Sequence, residues 1–515
     1  MSKGKLILLV LLVSVLLIPP ACRTRSDTFV IALGDNIRTI DPIGSPSVDA
    51  ASERVRTLIF NSLVKKNEKF DYTGELATDP IKRSDDGLTY TFTLHDGVKF
   101  HNGKVLSSED VKYTLDLVFK SDFAKSASFY EGTGADKHSY IKSVEAPDAK
   151  TVVVTLIKPW VGLLSNLVPV AIIPKDSYES QKTQPLGTGP FKFIRYDNTQ
   201  QVCDVEAFNE YWEGAPKLPA VRVRVISDMN AMQAELQAGR VDIAPMPTSL
   251  SPDAVKRLEQ DPNLQVKAFS GSNVVLLTLN TASPPLDNVK VRQAIAYAID
   301  RESLIKNLLL GFGKIAHSII PEESWSYSTG QTYSYDPAKA KQLLSEAGVR
   351  FDKPVVYKLS GSSIAGRQYA GVIQNYLKEV GIPVEIQTPE QNTLFDELRR
   401  GNFQIAYTQW VGGNQDPIFY KDLFATSEIP TQTRPSRNRS RYSNPELDKL
   451  LDEAVNTFDR TRGRELYVKI QDTVSREVPI FPLWYQSNIV IARKNVQNIQ
   501  VNASGDWGFV RNLSH

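Results

Sequence analysis

Arg434, Arg437, Arg439 and Arg441 lie close together in the chain. A guanidinium can clamp a carboxylate through two parallel hydrogen bonds, so this run could hold an anionic ligand group; the plainer reading of a basic run is a solvated face. Trp410 offers a broad apolar face and one donor, which suits it to wall a pocket that tolerates varied ligand side chains or sugars, unless it is a core residue at a strand end. Trp325, Tyr327 and Tyr485 are candidates for the same role. His95 and His101 flank a turn, but the chain has 5 histidines and no zinc-type spacing of His, Cys and carboxylate, so a surface turn is expected and no metal. Gly311-Phe312-Gly313-Lys314-Ile315-Ala316 mimics a dinucleotide fingerprint, yet it follows a helical pattern where the fingerprint must follow a strand. The sequence contains no G-x-S-x-G elbow, His-rich metal motif or Cys/His pair, which argues against a secreted hydrolase. The chemistry these residues can do is reversible binding, with no cofactor and no catalytic residue.

The N-terminus reads as an address. Lys3 and Lys5 precede an apolar run from Leu6 to Ile18, followed by Pro19-Pro20-Ala21-Cys22. As a helix that run rises about 20 Å, short of the roughly 30 Å hydrocarbon core, so an export signal over residues 1–21 is expected rather than a mature span. Cys22, placed after the apolar run and a small residue, resembles the lipidated cysteine of a bacterial lipoprotein signal, although Pro19 stands where such signals usually carry Leu. The other cysteine, Cys203, then has no partner for a disulfide and is expected to be a buried small hydrophobe. With 60 basic and 58 acidic residues the net charge is +2, which removes the long-range field that nucleic-acid binders use.

At 515 residues the chain is too long for one ordinary core, so two or more lobes are expected. Helix-like and strand-like segments alternate without low-complexity linkers, which predicts an α/β (mixed α+β) architecture. From Leu88 to Leu94, Leu88, Tyr90, Phe92 and Leu94 share one face and three threonines the other, the period of a half-buried strand, with Val98-Lys99-Phe100 as a second strand of a meander. Ser107 and Asp110 predict a capping box opening a helix that runs to about Lys120. Two distant segments, Glu235–Ala244 and Glu397–Ala406, each read as a helix stopped by glycine and followed at once by a strand, as in two lobes of related construction. The strongest helical stripe predicts one helix from Val289 to about Leu310, closed by Gly311; another starts at Asp336-Pro337 and ends before Gly348.

Several motifs in order give the chain a resemblance to the family-5 extracellular solute-binding proteins, the receptors for oligopeptides, dipeptides and nickel that serve ABC importers. They include Thr39-Ile40-Asp41-Pro42, Asp86-Gly87-Leu88-Thr89-Tyr90, Gly97-Val98-Lys99-Phe100-His101-Asn102-Gly103, Gly187-Thr188-Gly189-Pro190-Phe191, Asn209-Glu210-Tyr211-Trp212, Ala298-Ile299-Asp300-Arg301 and Tyr442-Ser443-Asn444-Pro445-Glu446. The resemblance implies a fold like the type II periplasmic binding proteins: two lobes with a hinge, and an extra subdomain in the first lobe. The expected divisions are residues 27–60, 187–280 and 488–515 for the ligand-facing part of lobe I, 61–186 for the extra subdomain and 281–487 for lobe II. The hinge crossings are then expected near Leu279-Asn280 and between Trp484 and Asn488.

The same resemblance implies that Gln409–Pro417 is the ligand-pocket loop, with Trp410, Gly413, Asn414 and Asp416 as ligand-binding candidates. The family often has an acidic residue at the position of Gly413, where it pairs with a peptide's free amine; its absence leaves Asp416, or a carboxylate from elsewhere, to hold an ammonium. Arg434 and Arg437 come first among the arginines because they precede the Tyr442 motif. The implied function is an extracytoplasmic substrate-binding component, periplasmic or at the cell surface, monomeric and lipid-anchored, which captures a peptide and delivers it to an ABC permease. The alternatives are a receptor for an oligosaccharide, an opine-like compound or a metal chelate.

Overall fold

A computed structural model of the chain describes residues 28–45, 49–132, 137–410, 416–431 and 436–515. Two large sheets organise them. The first has 7 strands in the spatial order Phe191–Asp197, Val202–Ala207, Ala220–Val225, Thr28–Leu33, Ile243–Pro245, Asn488–Arg493 and Leu264–Phe269. Within it Thr28–Leu33 lies parallel to both Ala220–Val225 and Ile243–Pro245, and Asn488–Arg493 is antiparallel to its neighbours. The second sheet has 6 strands, ordered Gly313–Ile315, Ile480–Gln486, Val274–Leu279, Ile405–Trp410, Val355–Lys358 and Val384–Gln387, the last three parallel to one another. A smaller sheet of 4 strands, Lys82–Arg83, Thr89–Thr93, Thr151–Leu156 and Ile141–Asp148, carries the helix Ser108–Lys120. This is the mixed α/β, two-lobed architecture expected from the sequence.

Local signals in the sequence set most of the boundaries. Ser107 and Asp110 form the capping box, and the helix they open ends at Lys120. Gly239 and Gly401, at φ 65° and 78°, stop their helices in the left-handed conformation that a Cβ disfavours, and each is followed by a strand, one in each large sheet. Asp336 and Gly348 bound the helix Pro337–Ala347. Two readings need correction. The stripe from Val289 is two helices, Val289–Ala298 and Arg301–Asn307, because Asp300 turns its carboxylate to the Ser303 N–H and starts a new helix there. Val98-Lys99-Phe100 is no strand: Lys99 makes an isolated bridge to Val105, and Thr89–Thr93 pairs instead with Lys82–Arg83 and Thr151–Leu156.

The small sheet has no separate core. Phe92, Val111 and Val154 belong to the same buried cluster as Phe29, Val221 and Ile243 of the first large sheet, so the two parts form one lobe. His101 strengthens that union and is half-buried rather than on an open surface turn. Its Nδ1 accepts from the Gly187 N–H at 3.4 Å and its Nε2 faces the Gly189 carbonyl at 3.0 Å, one acceptor and one donor, as in a neutral ring. Burial pushes its pKa down to about 4, in keeping with that neutral form. Cys203 is buried in the strand Val202–Ala207, and burial pushes its thiol up to about 12. The second sheet is covered on both faces by clusters around Ile295 and Ile470.

Candidate ligand cleft between the lobes

The chain passes between the two large sheets twice. Leu264–Phe269 ends the first sheet, four residues follow, and Val274–Leu279 enters the second; Ile480–Gln486 leaves the second, and after Ser487 the chain is back in the first as Asn488–Arg493. The second crossing falls inside the expected interval. The first lies at 270–273, ahead of the expected Leu279-Asn280, because Val274–Leu279 is a central strand of the second sheet, paired on both sides and buried along its length.

The two crossings are packed tightly together. A Cβ on Gly271 would stand 1.8 Å from the Gln486 carbonyl oxygen, so only glycine fits there. The Gln486 N–H donates to the Asn273 carbonyl at 2.9 Å, and the buried Asn488 amide reaches the carbonyls of Ser270, Asn502 and Ala503 at 3.2, 2.9 and 3.1 Å. Around this double crossing the parallel strands of both sheets end: Leu33 and Pro245 from the first, Trp410 from the second, where Val274 is opposite both Trp410 and Tyr485. Open α/β sheets bind ligands beyond the carboxyl ends of their strands, which makes the region bordered by these two edges the candidate site.

Further from the crossings, the extra subdomain touches the second lobe. The Tyr72 hydroxyl, on the hairpin formed by Val64–Lys66 and Tyr72–Gly74, donates to the carboxylate of Asp416. Asp416 is 5% exposed and also accepts from the Ile418 N–H at 2.9 Å; burial raises its pKa, opposed in part by Tyr72 and by the Lys66 ammonium. Asp71, on the same hairpin, pairs with Arg460, whose guanidinium stacks 4.1 Å above the Trp325 ring. Arg83 sits 4.1 Å above Phe458, and the Val161 N–H points to the Val455 carbonyl at 3.5 Å. Tyr140 is stacked at 4.2 Å on Trp160. This is a closed arrangement, with the extra subdomain resting on the helices Pro445–Asn456 and Arg460–Glu477.

Residues 71–431 match the bacterial extracellular solute-binding proteins, family 5. The chain belongs to this family. It is 30% identical over 468 residues to a heme-binding protein A of Haemophilus influenzae, spanning 86% of this chain and 83% of that one. It is also 30% identical over 490 residues to the oligopeptide-binding protein AppA of Bacillus subtilis, spanning 89% and 87%. The crystal structure of the ABC transporter substrate-binding protein CtaP from Listeria monocytogenes superposes with a TM-score of 0.82 at 25% identity, covering 94% of this chain and 98% of that one.

Within this family-5 fold the candidates drawn from sequence fall into three groups. Cys22, Gly413, Asn414 and Arg434 lie outside the described residues. Trp410 ends its strand beside the first crossing, and Asp416 sits where the subdomain and second lobe meet. Arg437 donates to Asp422 at 3.1 Å and covers the Phe419 ring at 5.5 Å; Asp422 is pushed up to about 6 by burial despite that partner. Trp325 is half-buried on the helix Arg460–Glu477, away from the strand edges, with Arg460 over one face and Tyr467 edge-on. Tyr485 is 4% exposed, and its hydroxyl is held between the Ser318 and Ile320 carbonyls at 2.7 and 2.6 Å, inside the second lobe. Such a satisfied core hydroxyl is a poor pocket wall, and this corrects the expectation for Tyr485. Phe312, of the rejected fingerprint, is buried in the first-lobe cluster with Met232 and Ile491, with its carbonyl toward the Ser487 N–H, and so it ties the lobes beside the second crossing.

Proposed function

We propose that this chain is the substrate-binding component of an ABC importer, capturing a peptide in the gap between its lobes and passing it on unaltered to a membrane permease. The observation that carries the reading is the double crossing, with the carboxyl ends of parallel strands from both sheets beside it. The peptide assignment draws on the Bacillus relative named for oligopeptides; the Haemophilus relative named for heme keeps a second reading, a non-peptide solute, in view. A captor of this kind needs no catalytic residue, and none is assigned. Residues 1–21 act in this reading as an export signal and Cys22 as the acylated anchor, leaving a monomer tethered at the outer face of the membrane. Among the described residues no helix is long and apolar enough to cross a membrane.

Native and intact-mass spectrometry of the protein isolated from membranes, followed by titration with a mixed pool of two- to nine-residue peptides, tests both parts. The expected result is a diacylglyceryl mass on Cys22 that a Cys22→Ser variant lacks, and a peptide ligand whose binding raises the melting temperature by several degrees. A co-purified heme or chelate with no response to any peptide contradicts the peptide assignment. An unmodified mature chain in the membrane fraction contradicts the anchor.

A further inference from the structure

The helix Ala50–Ile59 carries two arginines with opposite surroundings. Arg56 has a charged partner: it pairs with Glu53 at 2.6 Å and reaches the Ser62 hydroxyl at 3.4 Å, and Glu53 in turn holds the buried Lys125 at 2.8 Å. Arg54 has almost nothing. Among the described residues its guanidinium makes one hydrogen bond, from Nη2 to the Met246 sulfur at 3.7 Å, and a thioether is a weak acceptor. It makes no ion pair among those residues. Asp35 is the charged group whose field reaches it, and that carboxylate is exposed and accepts from the Thr248 hydroxyl at 2.9 Å. Arg54 is nonetheless half-buried. A guanidinium carries five N–H donors, and taking such a charge out of water without partners is unfavourable.

Its surroundings say where the missing partner belongs. Met246 follows Pro245 directly, at the carboxyl end of a first-lobe strand, and is itself held at φ 49°. A Cβ on Gly505 would lie 2.7 Å from the Met246 sulfur and 3.5 Å from the Asn488 side chain, which places this sulfur beside the double crossing. Asp35 follows the neighbouring parallel strand Thr28–Leu33 by two residues. Arg54 therefore brings unused donors to the strand-end edge of the first lobe, on the border of the gap.

We propose that Arg54 is a ligand-binding residue that clamps a carboxylate of the captured molecule, so that the protein selects anionic ligands. This rests on the reading of the interlobe gap as the capture site. The test compares wild type, Arg54→Gln and Arg54→Lys by calorimetry, with the tightest peptide of the pool as its free acid and as its C-terminal amide. Wild type should prefer the acid by about 10- to 100-fold, the range of a charge-assisted pair. Arg54→Gln should bring the ratio close to one, and Arg54→Lys should keep part of it. An acid-to-amide ratio in Arg54→Gln equal to that of wild type overturns the proposal. If no peptide binds wild type, the peptide assignment fails by itself, and the molecule that co-purifies decides for Arg54. A carboxylate-bearing ligand seen by native mass spectrometry on wild type and lost from Arg54→Gln supports the clamp; a ligand without a carboxylate, or equal occupancy of both proteins, overturns it.

Discussion

Gly271→Val is expected to lower the unfolding free energy by about 1–3 kcal/mol or more and to abolish high-affinity capture, because the branched side chain has nowhere to go. The obstacle is a carbonyl oxygen at 1.8 Å from the first added carbon, belonging to Gln486 in the other crossing. Neither segment can yield alone. The Gln486 N–H is bonded to Asn273, and Ser272 holds the Ala503 carbonyl through both its N–H at 3.0 Å and its hydroxyl at 2.9 Å. Urea melts and ligand titrations on the same preparation check the prediction. Wild-type stability with wild-type affinity would show that the two crossings do not depend on their close approach.

Tyr72→Phe is expected to weaken ligand binding by about 10- to 100-fold, chiefly through faster release, while the melting point of the ligand-free protein moves little. The hydroxyl it removes spans the two lobes and serves a carboxylate that burial already disfavours in its ionised form. Without it, Asp416 keeps the Ile418 N–H and the field of Lys66, whose own pKa burial pulls down to about 8. The closed state loses this contact, whereas an open state with the hairpin lifted away would leave Asp416 to water, so the cost should fall on closure. Asp416→Asn, which retains an acceptor and removes the buried charge, should be milder than Tyr72→Phe. Stopped-flow release of bound peptide separates the variants. Equal release rates for wild type and Tyr72→Phe would make Tyr72 an ordinary buried tyrosine with no part in closure.

What could be read from the sequence was whatever is decided within one turn or one strand. The capping box at Ser107, the proline and glycine bounding Pro337–Ala347 and the two glycine-stopped helices are settled by neighbouring residues, and they stand where expected. The position of the first crossing is different in kind. Val274–Leu279 is apolar at every position but Thr278 and buried at every residue, and such a run has no alternation to say which sheet it joins or on which side of it the hinge lies. Side-chain roles that depend on distant partners were equally hidden. Tyr485 looked like a pocket aromatic until Ser318 and Ile320 proved to hold its hydroxyl, and nothing in the residues around Arg54 marks it as the arginine left without an acid. The Asp300 helix start was available from sequence, since aspartate is among the preferred N-cap residues, but the apolar stripe running through it masked the signal.

The central claim is that two lobes close over a ligand, and the most direct measurement is the distance between them. Cysteines placed at the exposed positions Glu68, on the hairpin of the extra subdomain, and Lys449, on the helix Pro445–Asn456, can carry a donor and acceptor dye in a Cys22→Ala background, since the buried Cys203 thiol stays protonated and unreactive. Single-molecule energy transfer is predicted to show a low-transfer population without ligand that collapses into one high-transfer population when ligand binds. A single unchanged population, at ligand concentrations where calorimetry shows the site filled, would contradict the account.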